Sequence, residues 1–144
     1  MMAVWFRRSN LLVFVVDAQA FPSPPAASSG TNESMAKLYF SYAAMNAGKS
    51  ALLLQAAYNY REQGMRPLLY TSALYAQDGV GRISSRIGIA ENAELYDAEV
   101  DLYHAIREHT ESGKVDCVFV DEAQFLTPDQ VWQLARVADR LAIP

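Results

Sequence analysis

The chain has one cysteine in 144 residues, which excludes an intrachain disulfide and a four-ligand, cysteine-rich zinc site. Cys117 falls within an apolar run, so a buried and inert thiol is expected. There are two histidines, His104 and His109, and neither has acidic or cysteine partners at ligand spacing, so both are read as surface residues. Basic residues are in the minority, 12 against 16 acidic ones, for a net charge of −4; this argues against general nucleic-acid binding. No apolar run approaches the length of a membrane span, so no membrane association is expected. No internal repeat is present. What remains, 51% hydrophobic and 19% charged residues, is the composition of one soluble globular domain suited to a reducing cytosol, and a cytoplasmic location is expected.

Residues 1–34 read differently from the rest. Arg7 and Arg8 precede a short apolar stretch from Leu11 to Val16, then Ala18-Gln19-Ala20. This imitates a secretory signal, but the apolar core is too short and Asp17 follows it at once. The Pro, Ala, Ser and Gly run over residues 21–34 has linker composition. Residues 1–34 are therefore expected to be a disordered or non-native extension that packs little onto the domain, with Met35 as the natural start and residues 35–144 forming the folded part.

In that part, residues 37–42 read as a strand and residues 49–63 as a helix stopped at Gly64. Residues 67–71 make a second strand, residues 78–88 a long mobile connection interrupted by glycines, and residues 93–96 a short strand. Residues 99–112 form an amphipathic helix with Leu102, Tyr103 and Ile106 inward. Residues 115–120 are the continuous apolar run of a strand buried on both faces. Thr127 is a good N-cap with Pro128 in the first turn, and the last helix, to residue 141, points Val131, Leu134, Val137, Ala138 and Leu141 inward.

Two motifs sit where strands end. Ala43, Ala44, Met45, Asn46, Ala47, Gly48, Lys49 and Ser50 join the first strand to the first helix. A Gly-Lys-Ser there lets backbone N–H groups and the helix N-terminus face phosphates, with Lys49 on the β/γ oxygens and the Ser50 hydroxyl on Mg²⁺. Ala43 stands where G-x-x-x-x-G-K-[ST] would open on glycine, so the loop alone is a modest signal. The second motif, Asp121-Glu122-Ala123-Gln124-Phe125, closes the buried strand. An aspartate at such a tip supplies the other hold on the metal, and a carboxylate one residue on lies where α/β folds open their ligand crevice. Together the two motifs make nucleoside triphosphate binding the default reading.

With the segment Ile83-Ser84-Ser85-Arg86-Ile87-Gly88, these motifs resemble the bacterial type II thymidine kinases, over residues 35–144. The resemblance implies an α/β P-loop NTPase fold of the RecA-like kind, a mostly parallel sheet flanked by helices and here incomplete at the C-terminal end. It implies transfer of the γ-phosphoryl of ATP to the 5′-hydroxyl of thymidine or deoxyuridine. ATP and Mg²⁺ are the implied cofactors, and a homo-oligomer, a tetramer, the implied assembly. Residues 43–50 and 121–124, Ala123 and Gln124 included, go to the nucleotide, and Ser50 and Asp121 to Mg²⁺. Glu122 is the general base, and Met45 and Phe125 wall the nucleoside pocket; core packing suits either apolar residue equally well. The family tolerates a small residue at the position of Ala43.

Two departures weigh against activity. Tyr75-Ala76-Gln77 stands where the family carries an acidic-Arg triplet, leaving Arg82 and Arg86 as the nearby cations. The family's later strand, zinc lobe and lasso loop have no counterpart, so a truncated copy is expected. P-loop proteins with a glutamate after the metal-binding aspartate resemble the class in which the two motif-bearing strands are separated by a strand from later in the chain. That implies an unfilled slot, poor solubility and no kinase activity for this polypeptide alone. The competing functions are a non-catalytic nucleotide-binding remnant and a generic P-loop NTPase in which Glu122 activates water.

Overall fold

A computed structural model describes residues 11–16, 37–42, 48–76, 79–141 and 143. Seven strands and three helices follow in chain order: β1 (Leu11–Val16), β2 (Lys37–Tyr42), α1 (Lys49–Glu62), β3 (Pro67–Ser72), β4 (Arg82–Ser84), β5 (Ala90–Asn92), β6 (Glu94–Tyr96), α2 (Leu102–Ser112), β7 (Cys117–Val120) and α3 (Pro128–Arg140). Five strands form one sheet in the order β2-β1-β7-β3-β6, and β4 and β5 make a separate hairpin. β7 pairs parallel with β3, and β3 parallel with β6. β1 is antiparallel to both β2 and β7, so β2 runs in the same direction as β7. This is the mostly parallel α/β sheet that the sequence implies.

Helices cover both faces, and strand periodicity assigns each side chain to one of them. Val118 and Val120 of β7 and Tyr70 of β3 meet Leu102 and Ile106 of α2 and Leu134 and Val137 of α3. Cys117 and Phe119 of β7 and Leu69 of β3 meet Leu53, Leu54 and Ala57 of α1. All four β7 residues are fully buried, which is why this strand is a continuous apolar run rather than an alternating one. Tyr60 of α1 meets the Phe119 ring edge-on at 5.7 Å, the arrangement the ring quadrupoles favour.

Local chemistry sets the boundaries. Thr127 caps α3 by accepting from the Gln130 N–H at 3.2 Å, and the Gln130 side chain accepts from the Thr127 N–H at 3.0 Å, with Pro128 in the first turn. This reciprocal box satisfies two donors that the helix leaves open. α2 starts at Leu102 rather than residue 99: Asp97 Oδ1 accepts the Glu99 and Val100 N–H groups in a tight turn, and Asp101 then caps the helix through the His104 N–H at 3.0 Å. Leu102 and Ile106 are buried as expected, and Tyr103 packs beside them.

Two expectations are corrected. Residues 79–88 are not simply a mobile connection, because β4 pairs with β5 from Arg82 opposite Asn92 to Ser84 opposite Ala90. Ile83 is buried against α1, and an ion pair between Arg61 and Glu91 fastens the hairpin to that helix. Gly81 permits the approach: a Cβ there would lie 1.9 Å from the Ala93 carbonyl oxygen. The second correction concerns the extension before Met35. Residues 11–16 do not stand apart from the domain; they form β1, an interior strand of the sheet between β2 and β7. An all-apolar hexapeptide suits a strand with neighbours on both sides. The other residues before Met35 lie outside the described part.

β2 and β7 are not neighbours, as the class resemblance implied, and the slot between them is filled. Its occupant is β1, from earlier in the chain and of opposite direction. Two interstrand steps then separate β2 from β7, about 9–10 Å.

Candidate functional site

The site forms where β2 and β7 end at the same edge of the sheet. Gly48 is the N-cap of α1, with φ +74° and ψ 24°, a left-handed conformation that glycine adopts without strain. A Cβ at Gly48 would meet nothing within 4 Å, so conformation rather than space calls for glycine here. No side chain among the described residues caps this helix, and the N–H groups of its first residues, Lys49 and Ser50 among them, have no acceptor inside it. The helix start is electropositive and carries Lys49 as well.

At the tip of β7, Asp121 is only 6% exposed. Its N–H donates to the Tyr70 carbonyl at 2.8 Å, continuing the β3–β7 ladder. Its Oδ1 accepts the Glu122 N–H at 3.0 Å, and its Oδ2 accepts the Ser50 hydroxyl at 3.1 Å. Burial, and then the charge of Glu122, push the Asp121 carboxyl above its ordinary range, against the pull of the Ser50 hydroxyl, the Glu122 N–H and the Lys49 charge. The Asp121 carboxylate and the Ser50 hydroxyl are hard oxygen donors of the kind a small divalent cation takes.

Glu122 is in the left-handed region, with φ 56° and ψ 35°, and is the one non-glycine residue at positive φ among those described. Such a conformation costs about 1–3 kcal/mol and persists when its surroundings over-determine it. Tyr96 does much of that: its hydroxyl donates to the Glu122 carbonyl at 2.7 Å and lies 3.4 Å from the Asp121 carbonyl. Burial, followed by the charges of Glu122 and Asp121, raises the Tyr96 hydroxyl far above its usual range, so it remains a donor. The Gln124 amide holds the Glu122 carboxylate through Nε2 and Oε2. Phe125 follows in a short turn with Ala123 and Gln124, and its half-exposed ring faces Tyr75 at 5.6 Å and 46°.

The structure thus brings Ser50 to Asp121, with Lys49 near enough to act on its charge, and Glu122, Ala123, Gln124 and Phe125 follow directly after it in the chain. Ala43, Ala44, Met45, Asn46 and Ala47 lie outside the described residues, as does Gln77 of the divergent triplet. Tyr75 and Ala76 are placed, beside Phe125 and at the end of the turn after β3, while Arg82 and Arg86 are exposed on the hairpin. Burial pushes the Cys117 thiol up to about 12, with Asp116 adding to it, so the thiol is inert. His104 is exposed and His109 lies 4.0 Å from Glu94, both on the surface of α2.

Sequence reasoning missed Tyr96 and Gln130. Gln130, 1% exposed, also donates to the Asp97 and Val100 carbonyls and so ties α3 to the chain between β6 and α2. No local pattern marks either residue; Tyr96 ends a strand and Gln130 sits in a first helical turn, and each acts on carbonyls distant in sequence.

No helix among the described residues is long and apolar enough to cross a membrane. No solved structure matches the chain. The thymidine kinase family profile matches residues 36–144. A thymidine kinase of Rhizobium meliloti is 62% identical over 112 residues, covering 76% of this chain and 57% of that protein. Those of Ruegeria pomeroyi and Haemophilus influenzae are 57% and 56% identical over 110 residues, at 76% of this chain and 56% and 57% of theirs. The chain spans little more than half the length of these relatives. Residues 36–144, the region that the family profile matches, contain both sheet-edge motifs, the buried carboxylate and the helix start that meets it, and the chain belongs to the thymidine kinase family.

Proposed function

We propose that this chain forms the nucleotide-binding part of a kinase that transfers the γ-phosphoryl of ATP to the 5′-hydroxyl of thymidine or deoxyuridine. One observation carries the reading: the Ser50 hydroxyl and the Asp121 carboxylate, distant in sequence, meet at 3.1 Å at the start of α1. These are the two groups the motifs assign to Mg²⁺, which would neutralise phosphate charge when bound. Residues 43–50 wrap the phosphates, with Lys49 on the β/γ oxygens and the first α1 amides as further donors. An open groove of about 790 Å³ adjoins Gly48 and Ala51, walled by Leu52, Tyr58, Ile87 and Ile89; it offers apolar surface to the nucleoside part of ATP.

Glu122 takes the proton of the sugar hydroxyl. A general base must be held in reach and orientation, and the Tyr96 and Gln124 hydrogen bonds supply that hold. Phe125 and Met45 wall the thymidine side. The reaction belongs in a reducing cytosol, and its partners are ATP, thymidine and further subunits assembled as a tetramer.

A second reading, binding without transfer, is favoured by Tyr75-Ala76-Gln77, which brings no cation to the turn beside Phe125. Phosphorylation of labelled thymidine, measured beside ATP hydrolysis without thymidine, separates the readings. Thymidine monophosphate formation that needs Glu122 supports the kinase. Thymidine-independent hydrolysis marks a generic NTPase, and ATP binding with neither reaction marks the remnant.

A further inference from the structure

Among the described residues, the strand that leads to the phosphate loop has a single ladder partner. β2 lies at the edge of the described sheet and pairs along its whole length with β1, from Leu11 opposite Tyr42 to Val16 opposite Lys37. On its other side β1 pairs with β7: Val13 opposite Val120, Phe14 opposite Phe119 and Val15 opposite Val118. Among the described residues no ladder joins β2 to β7 directly. β2 ends at Tyr42 and Asp121 follows Val120, so the ladders that place the end of β2 relative to Asp121 run through Val13, Phe14 and Val15.

We propose that Leu11–Val16 is a positioning strand for the nucleotide site: it holds the phosphate-loop strand two steps from β7 and so fixes the loop relative to Asp121. The functional consequence rests on the nucleotide-binding reading above; the mechanical role does not.

The backbone argument is direct. In a strand with two neighbours, N–H and C=O groups point alternately to either side, so each of these three residues lies between a β2 residue and a β7 residue. β2 and β7 run in the same direction, and one antiparallel strand between them offers a ladder to both. Residues 17–36 give ample chain to reach β2 from β1. Without β1, β2 keeps the packing of Leu38 on the α2–α3 side of the core, while the loop's far end keeps the Ser50–Asp121 hydrogen bond and the packing of Leu53, Leu54 and Ala57 of α1 against β3 and β7. Those contacts hold the helix end of the loop; at the other end, the packing of one β2 side chain does not fix the strand's distance and register as a ladder does. An edge with its backbone groups unpaired is also the part of a sheet that opens first.

The unaltered full chain provides the first test, by native-state hydrogen exchange across a denaturant series without ligand. The β2 amides that face β1 are expected to open together with those of β1, on one isotherm below that of β3 and β7. Protection of β2 while β1 exchanges like an unstructured chain would overturn the proposal. The second test compares Phe14→Pro with Phe14→Leu in the full chain, since proline removes the N–H and cannot sit in a central strand. Phe14→Pro should raise exchange of those β2 amides about 100-fold and of β3 amides less than about 10-fold, with at least about a 10-fold loss of affinity for a fluorescent ATP analogue. Phe14→Leu should leave both near their original values. Unchanged β2 protection in Phe14→Pro, or an equal rise in every strand and helix, would overturn the positioning role. If the unaltered chain binds no ATP analogue, the nucleotide reading fails while the exchange pattern still decides the strand's role.

Discussion

Replacing Asp121 by asparagine should make the ligand-free protein more stable and the ligand-bound protein less so. The carboxylate is 6% exposed and adjoins Glu122, whose charge opposes its ionisation. Asparagine preserves the hydrogen-bond inventory: its Oδ1 can accept the Glu122 N–H now at 3.0 Å, and its Nδ2 can donate to the Ser50 oxygen now at 3.1 Å from Oδ2, the hydroxyl turning to suit. What disappears is a desolvated charge and its repulsion, offset by a lost attraction to Lys49. The balance is a gain of about 0.5–2 kcal/mol, or a rise of roughly 3–8 °C in Tm for a domain of this size. With Mg²⁺ and ATP at 100 times Kd, the original protein gains about 2.7 kcal/mol from binding, and the variant, with its metal hold weakened, gains little. Melting curves by circular dichroism, with and without Mg-ATP, should therefore cross. A ligand-free variant that melts below the original would show that Asp121 contributes more through its ionic contacts than burial costs it, and would refute the reasoning.

Glu122→Gln should lower thymidine phosphorylation by about 10²–10⁴-fold with ATP affinity nearly unchanged, whereas Lys49→Ala should damage both; near-normal turnover in Glu122→Gln would remove it as base. Tyr96→Phe deletes the hydroxyl that holds the Glu122 carbonyl at 2.7 Å and should cost about 1–3 kcal/mol in urea denaturation, with turnover falling more than ATP affinity as Glu122 loses its fixed conformation. The Asp116 carboxyl is opposed by burial, but its pairing with Lys114 and the Arg66 N–H holds it below the usual carboxylate range. A depressed folded-state pKa gives stability that is complete above the ordinary value of about 4 and fades as pH falls through the folded-state value. Asp116→Asn should thus cost about 0.5 kcal/mol at pH 7, with the difference from the original shrinking below about pH 4; a gap that widens in acid would contradict the pairing.

The helices and the parallel strands were legible because their signals are local. Thr127 and Pro128 mark the start of α3, the apolar run at residues 117–120 marks a strand covered on both faces, and the stripe of Leu134, Val137 and Ala138 is buried as its spacing implies. The meeting of Ser50 with Asp121 in the candidate site was legible for a similar reason, since each of the two motifs follows the end of a strand. The misreadings arose where local and long-range forces disagree. Glycines at 79, 81 and 88 suggest a loop, but Ile83 and the Arg61–Glu91 pair draw the segment into a hairpin on α1. Tyr96 joins the site through its hydroxyl, which no spacing in its own strand reveals.

The hexapeptide Leu11–Val16 shows a deeper reason. Its composition states only that it must be covered; which strands cover it depends on a vacancy elsewhere in the sheet. β2 leads toward one half of the site and β7 ends at the other, and Ser50 at the start of α1 reaches Asp121 directly although a strand lies between β2 and β7. Were β2 to pair with β7 directly, the end of β2 would move by one interstrand step, about 4.8 Å, while α1 stayed packed on β3 and β7. The site therefore requires a filled slot but does not specify the sequence or direction of what fills it, because a ladder is made by backbone. An apolar strand of either polarity meets the requirement, and for that reason the filler could not be identified from the motifs whose geometry depends on it.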